Sequence, residues 1–143
     1  MDGSGTERGL LELFKAADLY PAIEASDAST NLSQLAITSL TCDSRKVRPG
    51  SCFVAIQGEP TDGAKFVDDA VRAGAVAVVS QDALRVPQGV GAIRVRDART
   101  ALARLAAAFY GFAPGQRHAG MKLIGVTGTN GKTTTCMLLR SIL

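Results

Sequence analysis

The sequence predicts an α/β fold in two parts, and three observations predict it. Strand and helix patterns alternate along most of the chain. The composition is that of a globular protein, with 46% hydrophobic and 20% charged residues. A glycine-rich turn also lies between a predicted strand and a predicted helix near Leu143. We therefore expect a small amino-terminal domain over residues 1–95 and the start of a second domain over residues 96–143.

The elements of the first part follow from the spacing of apolar residues. Helical spacing favours helices that begin at Thr6 and at Phe66, and Gly74 is a typical helix stop. Short apolar runs between turn signals favour strands. The predicted elements are a helix over Thr6–Ala17, strands over Ala36–Thr41 and Cys52–Ile56, a helix over Phe66–Ala73, and strands over Val76–Val79 and Ala92–Val95.

The second part begins with a helix rich in alanine and leucine, from about Ala98 to Tyr110. A connector with Pro114, Gly115 and Gly120 follows, and Lys122–Val126 is predicted as an apolar strand. The last helix should begin near Lys132, and no glycine, asparagine or proline stop precedes the final Leu143. We therefore expect an amino-terminal fragment of a longer protein that is not catalytic by itself, with apolar surface that promotes self-association of residues 96–143.

Charge and cysteine content exclude several classes of protein. The 16 basic and 13 acidic residues give a net charge of +3, and they are scattered, which argues against a nucleic-acid partner. No apolar run approaches the roughly 20 residues that cross a bilayer, and the start does not resemble a signal peptide. The three cysteines lack metal-site or disulfide spacing, so we expect a cytoplasmic protein without membrane contact.

The strongest chemical signal is the phosphate loop, which we define as Gly128-Thr129-Asn130-Gly131-Lys132-Thr133-Thr134. Its glycines allow backbone N–H groups to face phosphate oxygens at a helix N-terminus. This pattern predicts ATP and Mg²⁺ as cofactors, with Lys132 on the β- and γ-phosphates and the Thr133 hydroxyl as a magnesium ligand. The general motif has a further glycine where this chain has Val126, so a glycine-rich turn that caps an ordinary helix is the alternative interpretation.

Two motifs carry a resemblance to a family. The phosphate loop resembles that of the Mur ligases, and the segment Asp43–Gly58, followed by Asp62-Gly63 and Gly74-Ala75, is similar to the first domain of their MurE and MurF types. The resemblance to the MurE type implies an ATP-dependent amide-bond ligase of peptidoglycan synthesis. Such a ligase adds diaminopimelate or lysine to UDP-N-acetylmuramoyl-L-alanyl-D-glutamate through an acyl phosphate, and Lys132 would be catalytic because it neutralises charge on the transferred phosphate.

The resemblance also implies a set of residues that bind the uridine nucleotide: Ser44, Arg45, Gly58, Glu59, Pro60 and Thr61. Ser44 and Thr61 are the candidates that we favour, because Arg45 could instead pair with a carboxylate. The implied partners are the UDP-N-acetylmuramoyl-dipeptide and an amino acid, and the full-length protein is expected to be a monomer.

Three alternatives remain open at the level of the sequence. A MurF-type ligase would add D-Ala-D-Ala, and its loop more often has serine in place of Thr129. A non-catalytic nucleotide-binding module would bind a nucleotide without turnover. A phosphatase or kinase with a phosphate loop would need an acidic magnesium ligand on a later strand.

Overall fold

The structure of the protein is a computed structural model, and it describes residues 7–20, 23–26, 31–58, 62–112 and 124–142. The strands of this part are β1 (Arg8–Gly9), β2 (Ile23–Ser26), β3 (Ala36–Ile37), β4 (Ser39–Thr41), β5 (Ser51–Val54), β6 (Ala75–Ser80) and β7 (Gly91–Val95). The α-helices are α1 (Leu10–Ala16), α2 (Val67–Arg72), α3 (Ala98–Phe109) and α4 (Lys132–Ile142). Short 3₁₀ helices cover Ser44–Lys46 and Gly63–Phe66.

A five-stranded sheet forms the centre of the fold. Its order is β2-β7-β6-β5-β4, in which β4 to β7 are parallel and β2 pairs antiparallel with β7. Strands β1 and β3 form a separate antiparallel pair. Because β4 to β7 run in the same direction, the segments that follow them meet at one edge of the sheet, which we call the carboxyl edge.

Helices cover both faces of this sheet. Alternation along β5 sends Cys52 and Val54 to the face covered by α1 and α3, while Phe53 points to the face covered by α2. Both sets of side chains are buried, which explains why β5 is apolar without alternation in its sequence. The α/β fold predicted from the sequence is confirmed by this layered arrangement.

The predicted strand over Ala36–Thr41 is wrong in one respect, because it is two strands that are separated at Thr38. Strand β3 pairs with β1, whereas β4 pairs with β5. Thr38 donates its backbone N–H to the carbonyl of Gly50 at 2.9 Å and its hydroxyl to the carbonyl of Pro49 at 3.2 Å. These contacts with the following turn divert the chain from one sheet to the other.

Helix α3 packs in the same core as the strands that precede it. Its buried side chains are Ala98, Ala101, Leu105 and Ala108, and they join the cluster that contains α1. Arg8 donates from Nη1 to the carbonyl of Ala108, and Arg104 donates from Nη1 to the carbonyl of Asp18, both at 3.3 Å. The division into two domains remains a prediction, but this packing leads us to propose a boundary after α3 rather than near Arg96.

Near the end of the chain the predicted strand is not formed in the described residues, whereas the predicted helix is. Residues Ile124–Val126, the described part of the predicted strand, pair with no strand of the described residues, and Ile124 is exposed. Helix α4 begins at Lys132 as predicted, and none of its described residues is buried. Its exposed apolar side chains include Met137, Leu138 and Ile142. None of the helices in the described residues is long and apolar enough to cross a membrane.

Candidate functional site

The carboxyl edge holds three of the residues that the sequence analysis selected, which are Ser44 and Arg45 after β4 and Gly58 after β5. Ser44 opens the 3₁₀ helix that follows β4, and Gly58 lies four residues after the end of β5. Since β4 and β5 are adjacent parallel strands, both positions lie at the same end of the sheet. Glu59, Pro60 and Thr61, the other predicted residues of this loop, lie outside the described residues.

The turn that contains Ser44 is held by its neighbour Asp43. The Asp43 carboxylate accepts from the backbone N–H of Arg45 at 3.1 Å, and from Nε and Nη2 of the Arg45 side chain at 2.9 Å each. This hydrogen-bonded pairing with Arg45 holds the pKa of Asp43 below its ordinary value, and it raises the pKa of Arg45. The pair fixes the guanidinium beside Ser44 and matches its charge with a carboxylate, which is the pairing that the sequence allowed for Arg45.

An open depression lies beside this turn. It is lined by Cys42, Asp43, Ser44, Arg45 and Phe66. The depression therefore offers a hydroxyl, a partly exposed aromatic ring and a guanidinium that is paired with the Asp43 carboxylate. The hydroxyl and the ring suit a planar polar ring, and the remaining N–H donors of the guanidinium suit an anionic group attached to it.

The loop that follows β5 is closed by backbone contacts at its ends. Gly63 donates its N–H to the carbonyl of Ile56 at 2.9 Å, and the Asp62 carboxylate accepts from the N–H of Ala64 at 3.0 Å. A Cβ atom on Gly63 would lie 2.6 Å from the backbone nitrogen of Ile56, so a glycine is needed for this approach. Ile56 and Gly63, on either side of this loop, are thus held next to each other.

The phosphate loop has the conformation of a glycine turn at a helix N-terminus. Gly128 and Gly131 have φ angles of 141° and 77°, which glycine adopts without a Cβ penalty. Nζ of Lys132 donates to the carbonyls of Gly128 and Thr129, so the ammonium group lies over the loop. The first backbone hydrogen bond of α4 runs from the N–H of Thr135 to the carbonyl of Gly131 at 2.9 Å.

These features fit the phosphate groups of a nucleotide. The N–H groups in the first turn of a helix have no acceptor within the helix, and they favour an anion. Lys132 supplies a positive charge next to them, and Thr133 and Thr134 present hydroxyls in the same turn. Residues Gly128 to Thr134 are exposed, so a ligand can reach the loop.

The structure reveals a second polar cluster at the carboxyl edge that the sequence analysis missed. Gln57 follows β5, Asp82 follows β6, and Arg99 lies in the first turn of α3. Nε2 of Gln57 donates to Oδ2 of Asp82 at 2.7 Å, and Nη2 of Arg99 donates to the backbone carbonyl of Gln57 at 3.3 Å. Each residue follows a predicted strand of the parallel sheet, and this position was the signal that could have identified them.

A known protein family matches the part of the chain that holds the four parallel strands of the sheet. Residues 36–110 match the family model described as "Mur ligase family, catalytic domain". The match begins at β3 and ends just beyond α3, so it includes both Ser44 and the Gln57–Asp82–Arg99 cluster.

Curated relatives extend the similarity to the phosphate loop. The UDP-N-acetylmuramoyl-L-alanyl-D-glutamate–2,6-diaminopimelate ligase of Geobacter metallireducens is 45% identical over 88% of this chain and 24% of its own length. The ligase of the same name from Listeria innocua is 44% identical over 93% of this chain and 24% of its own. The second match leaves out only about ten residues of this chain, so it extends past Gly131. This chain spans about a quarter of the length of these relatives.

Solved structures support the fold. A crystal structure of MurF from Acinetobacter baumannii aligns with a TM-score of 0.58 over 71% of this chain and 21% of its own, with 24% identity. At that identity the likeness concerns the arrangement of strands and helices alone.

Proposed function

Because the chain belongs to the Mur ligase family, we propose that it is the uridine-nucleotide-binding domain and phosphate loop of an ATP-dependent amide-bond ligase. The ligase would add diaminopimelate to UDP-N-acetylmuramoyl-L-alanyl-D-glutamate. The observation that carries this proposal is the similarity to relatives of that name, at 40–50% identity over 75–93% of the chain. A MurF-type function has only a likeness of fold in its favour.

The uridine nucleotide would bind at the depression beside Ser44. Ser44 would donate or accept through its hydroxyl, and Arg45 would attract the diphosphate while Asp43 holds its guanidinium in place. Gly58, Glu59, Pro60 and Thr61 would form the opposing loop. In this arrangement the protein positions the substrate and does no chemistry at the nucleotide itself.

The phosphate loop would bind Mg-ATP. When bound, ATP supplies a phosphoryl group that activates the substrate carboxylate toward an amine. Gly128, Thr129, Asn130 and Gly131 would surround the phosphates with backbone N–H groups, Thr134 would add a hydroxyl, and the Thr133 hydroxyl would hold magnesium. Lys132 would exchange its contacts with the carbonyls of Gly128 and Thr129 for phosphate oxygens, and would neutralise their charge.

The proposal also covers the compartment and the oligomeric state of the ligase. We place the ligase in the cytoplasm as a monomer, with the dipeptide nucleotide and an amino acid as its small-molecule partners. The three cysteines are free thiols, as a reducing compartment requires.

Calorimetric titration tests the two halves separately. The chain should bind UDP-N-acetylmuramoyl-L-alanyl-D-glutamate more tightly than UDP-N-acetylglucosamine, and it should bind Mg-ATP independently. Lys132→Ala should abolish the heat of Mg-ATP binding and leave the heat of the uridine nucleotide unchanged. Arg140→Ala is the matched control, since it removes a cation near the other end of α4. Equal effects of both variants would overturn the assignment of Lys132.

A further inference from the structure

The cluster of Gln57, Asp82 and Arg99 connects three elements at the point where the chain enters the loop predicted to bind substrate. Gln57 directly precedes Gly58, and it is contacted by Asp82, two residues after β6, and by Arg99 of α3. All three side chains are exposed, so their hydrogen bonds contribute little to the free energy of unfolding. The cluster contributes little to stability, but it connects three elements beside one loop. This arrangement suits a role in positioning that loop.

Each arm of the cluster is itself fixed. Asp97 caps α3 by accepting from the N–H groups of Arg99 at 2.9 Å and Thr100 at 3.3 Å, which holds the first turn of the helix. The Ser80 hydroxyl donates to the backbone carbonyl of Asp82. Gln57 is therefore contacted by two side chains whose own backbones are held, that of Asp82 by Ser80 of β6 and that of Arg99 by the cap of α3.

We infer that Arg99 and Asp82 are positioning residues for the uridine nucleotide, because through Gln57 they fix the backbone that leads into Gly58. This inference rests on the proposed function, since it requires Gly58 to be part of the nucleotide site. Arg99 is positively charged and Asp82 is negatively charged, yet both should strengthen binding if they position the same loop. A simple effect of charge would instead give the two residues opposite effects.

Simple electrostatics and positioning give opposite predictions for Asp82. Its loss removes a negative charge near the site for an anionic ligand, so a charge effect alone would tighten binding. If Asp82 positions Gln57, then Asp82→Ala should weaken binding of the nucleotide by about two- to fivefold, the upper part of the range expected for one exposed pair. Gln57→Ala should give the same loss, and the double variant should lose no more than either single variant.

Arg99 has a matched control on the same helix. Arg99→Ala should weaken binding of UDP-N-acetylmuramoyl-L-alanyl-D-glutamate by about two- to fivefold. Arg104→Ala also removes an exposed arginine of α3 that contacts a backbone carbonyl at 3.3 Å, but that carbonyl belongs to Asp18. Arg104→Ala should change the dissociation constant by less than about twofold. Arg99→Lys should recover part of the loss, because lysine can donate to the Gln57 carbonyl.

The experiment is calorimetric titration of the 143-residue chain and these variants with the dipeptide nucleotide and with Mg-ATP. Weaker nucleotide binding by the Arg99 and Asp82 variants, with Mg-ATP binding unchanged, supports the inference. If the unmodified chain binds and Asp82→Ala binds equally or more tightly, the inference is overturned while the proposed function stands. If the unmodified chain does not bind the nucleotide, the proposed function fails and the inference fails with it.

Discussion

Gly74 packs directly against the backbone of Pro49, so closely that a Cβ atom on Gly74 would lie 2.8 Å from Cα of Pro49. Gly74 has a φ angle of 100°, and its carbonyl accepts from the N–H of Gly50 at 3.0 Å. The end of α2 is thereby held against the turn that precedes β5.

Gly74→Ala should therefore destabilise the protein for two reasons. The positive φ angle costs an alanine roughly 1–2 kcal/mol, and the overlap with Pro49 adds roughly 1–3 kcal/mol. Gly89→Ala is the control, because Gly89 has a similar φ angle of 94° and open space where its Cβ would lie. Urea unfolding should show a greater loss for Gly74→Ala, and equal losses would contradict the contact.

The packing of α3 predicts a second effect on stability. Leu105 is 1% exposed in the core shared with α1, so Leu105→Ala should lower the free energy of unfolding by about 2–5 kcal/mol. Leu138→Ala is the same substitution on α4 at a side chain that is 59% exposed, and it should change stability by less than about 0.5 kcal/mol. If Leu105→Ala left the free energy of unfolding unchanged, α3 would not belong to the first domain, and the boundary near Arg96 would be favoured.

The cap of α3 predicts a dependence on pH. The pKa of Asp97 lies below its ordinary value of 3.8, mainly because its carboxylate accepts from the hydroxyl and N–H of Thr100. A lowered pKa in the folded state gives stability that is present above about pH 3.8 and is lost as the pH falls through the folded value. The difference in stability between the parent chain and Asp97→Asn should therefore shrink in acid. A difference that is constant from pH 7 to pH 3 would refute the assignment.

Burial separates the three cysteines. Burial raises the pKa of the Cys52 thiol to about 12, whereas Cys42 and Cys136 are exposed. Because the thiolate is the reactive form, iodoacetamide at pH 8 should label Cys42 and Cys136 rapidly and Cys52 only after unfolding. Mass spectrometry of peptides would measure this, and labelled Cys52 in the native chain would contradict its place in the core.

Local sequence patterns correctly predicted the strands that consist of long apolar runs. They failed where contacts between distant residues determine where a strand ends. Val76–Val79 and Ala92–Val95 lie within β6 and β7 because a strand buried on both faces is apolar throughout. The break at Thr38 depends on its hydrogen bond with Gly50, twelve residues away, which no local pattern contains. The short strands β1 and β2 had no apolar alternation long enough to identify.

The candidate site also contains some residues that form a local sequence motif and others that only the fold brings together. Ser44 and the phosphate loop could be proposed from the sequence because each lies in a contiguous motif, and their roles stay predictions. The Gln57–Asp82–Arg99 cluster could not be, because its members are brought together only by the order of β5, β6 and β7 in the sheet.

The most direct test of the central claim is the dissociation constant of the chain for UDP-N-acetylmuramoyl-L-alanyl-D-glutamate, compared between Ser44→Ala and Ser33→Ala. Ser33 is an exposed serine in a turn whose flanking Leu32 and Leu35 contact Gly91, at the opposite edge of the sheet. We predict that Ser44→Ala weakens binding by about three- to tenfold and that Ser33→Ala changes it by less than about twofold. Absence of binding by the unmodified chain, or equal binding by both variants, would contradict the account.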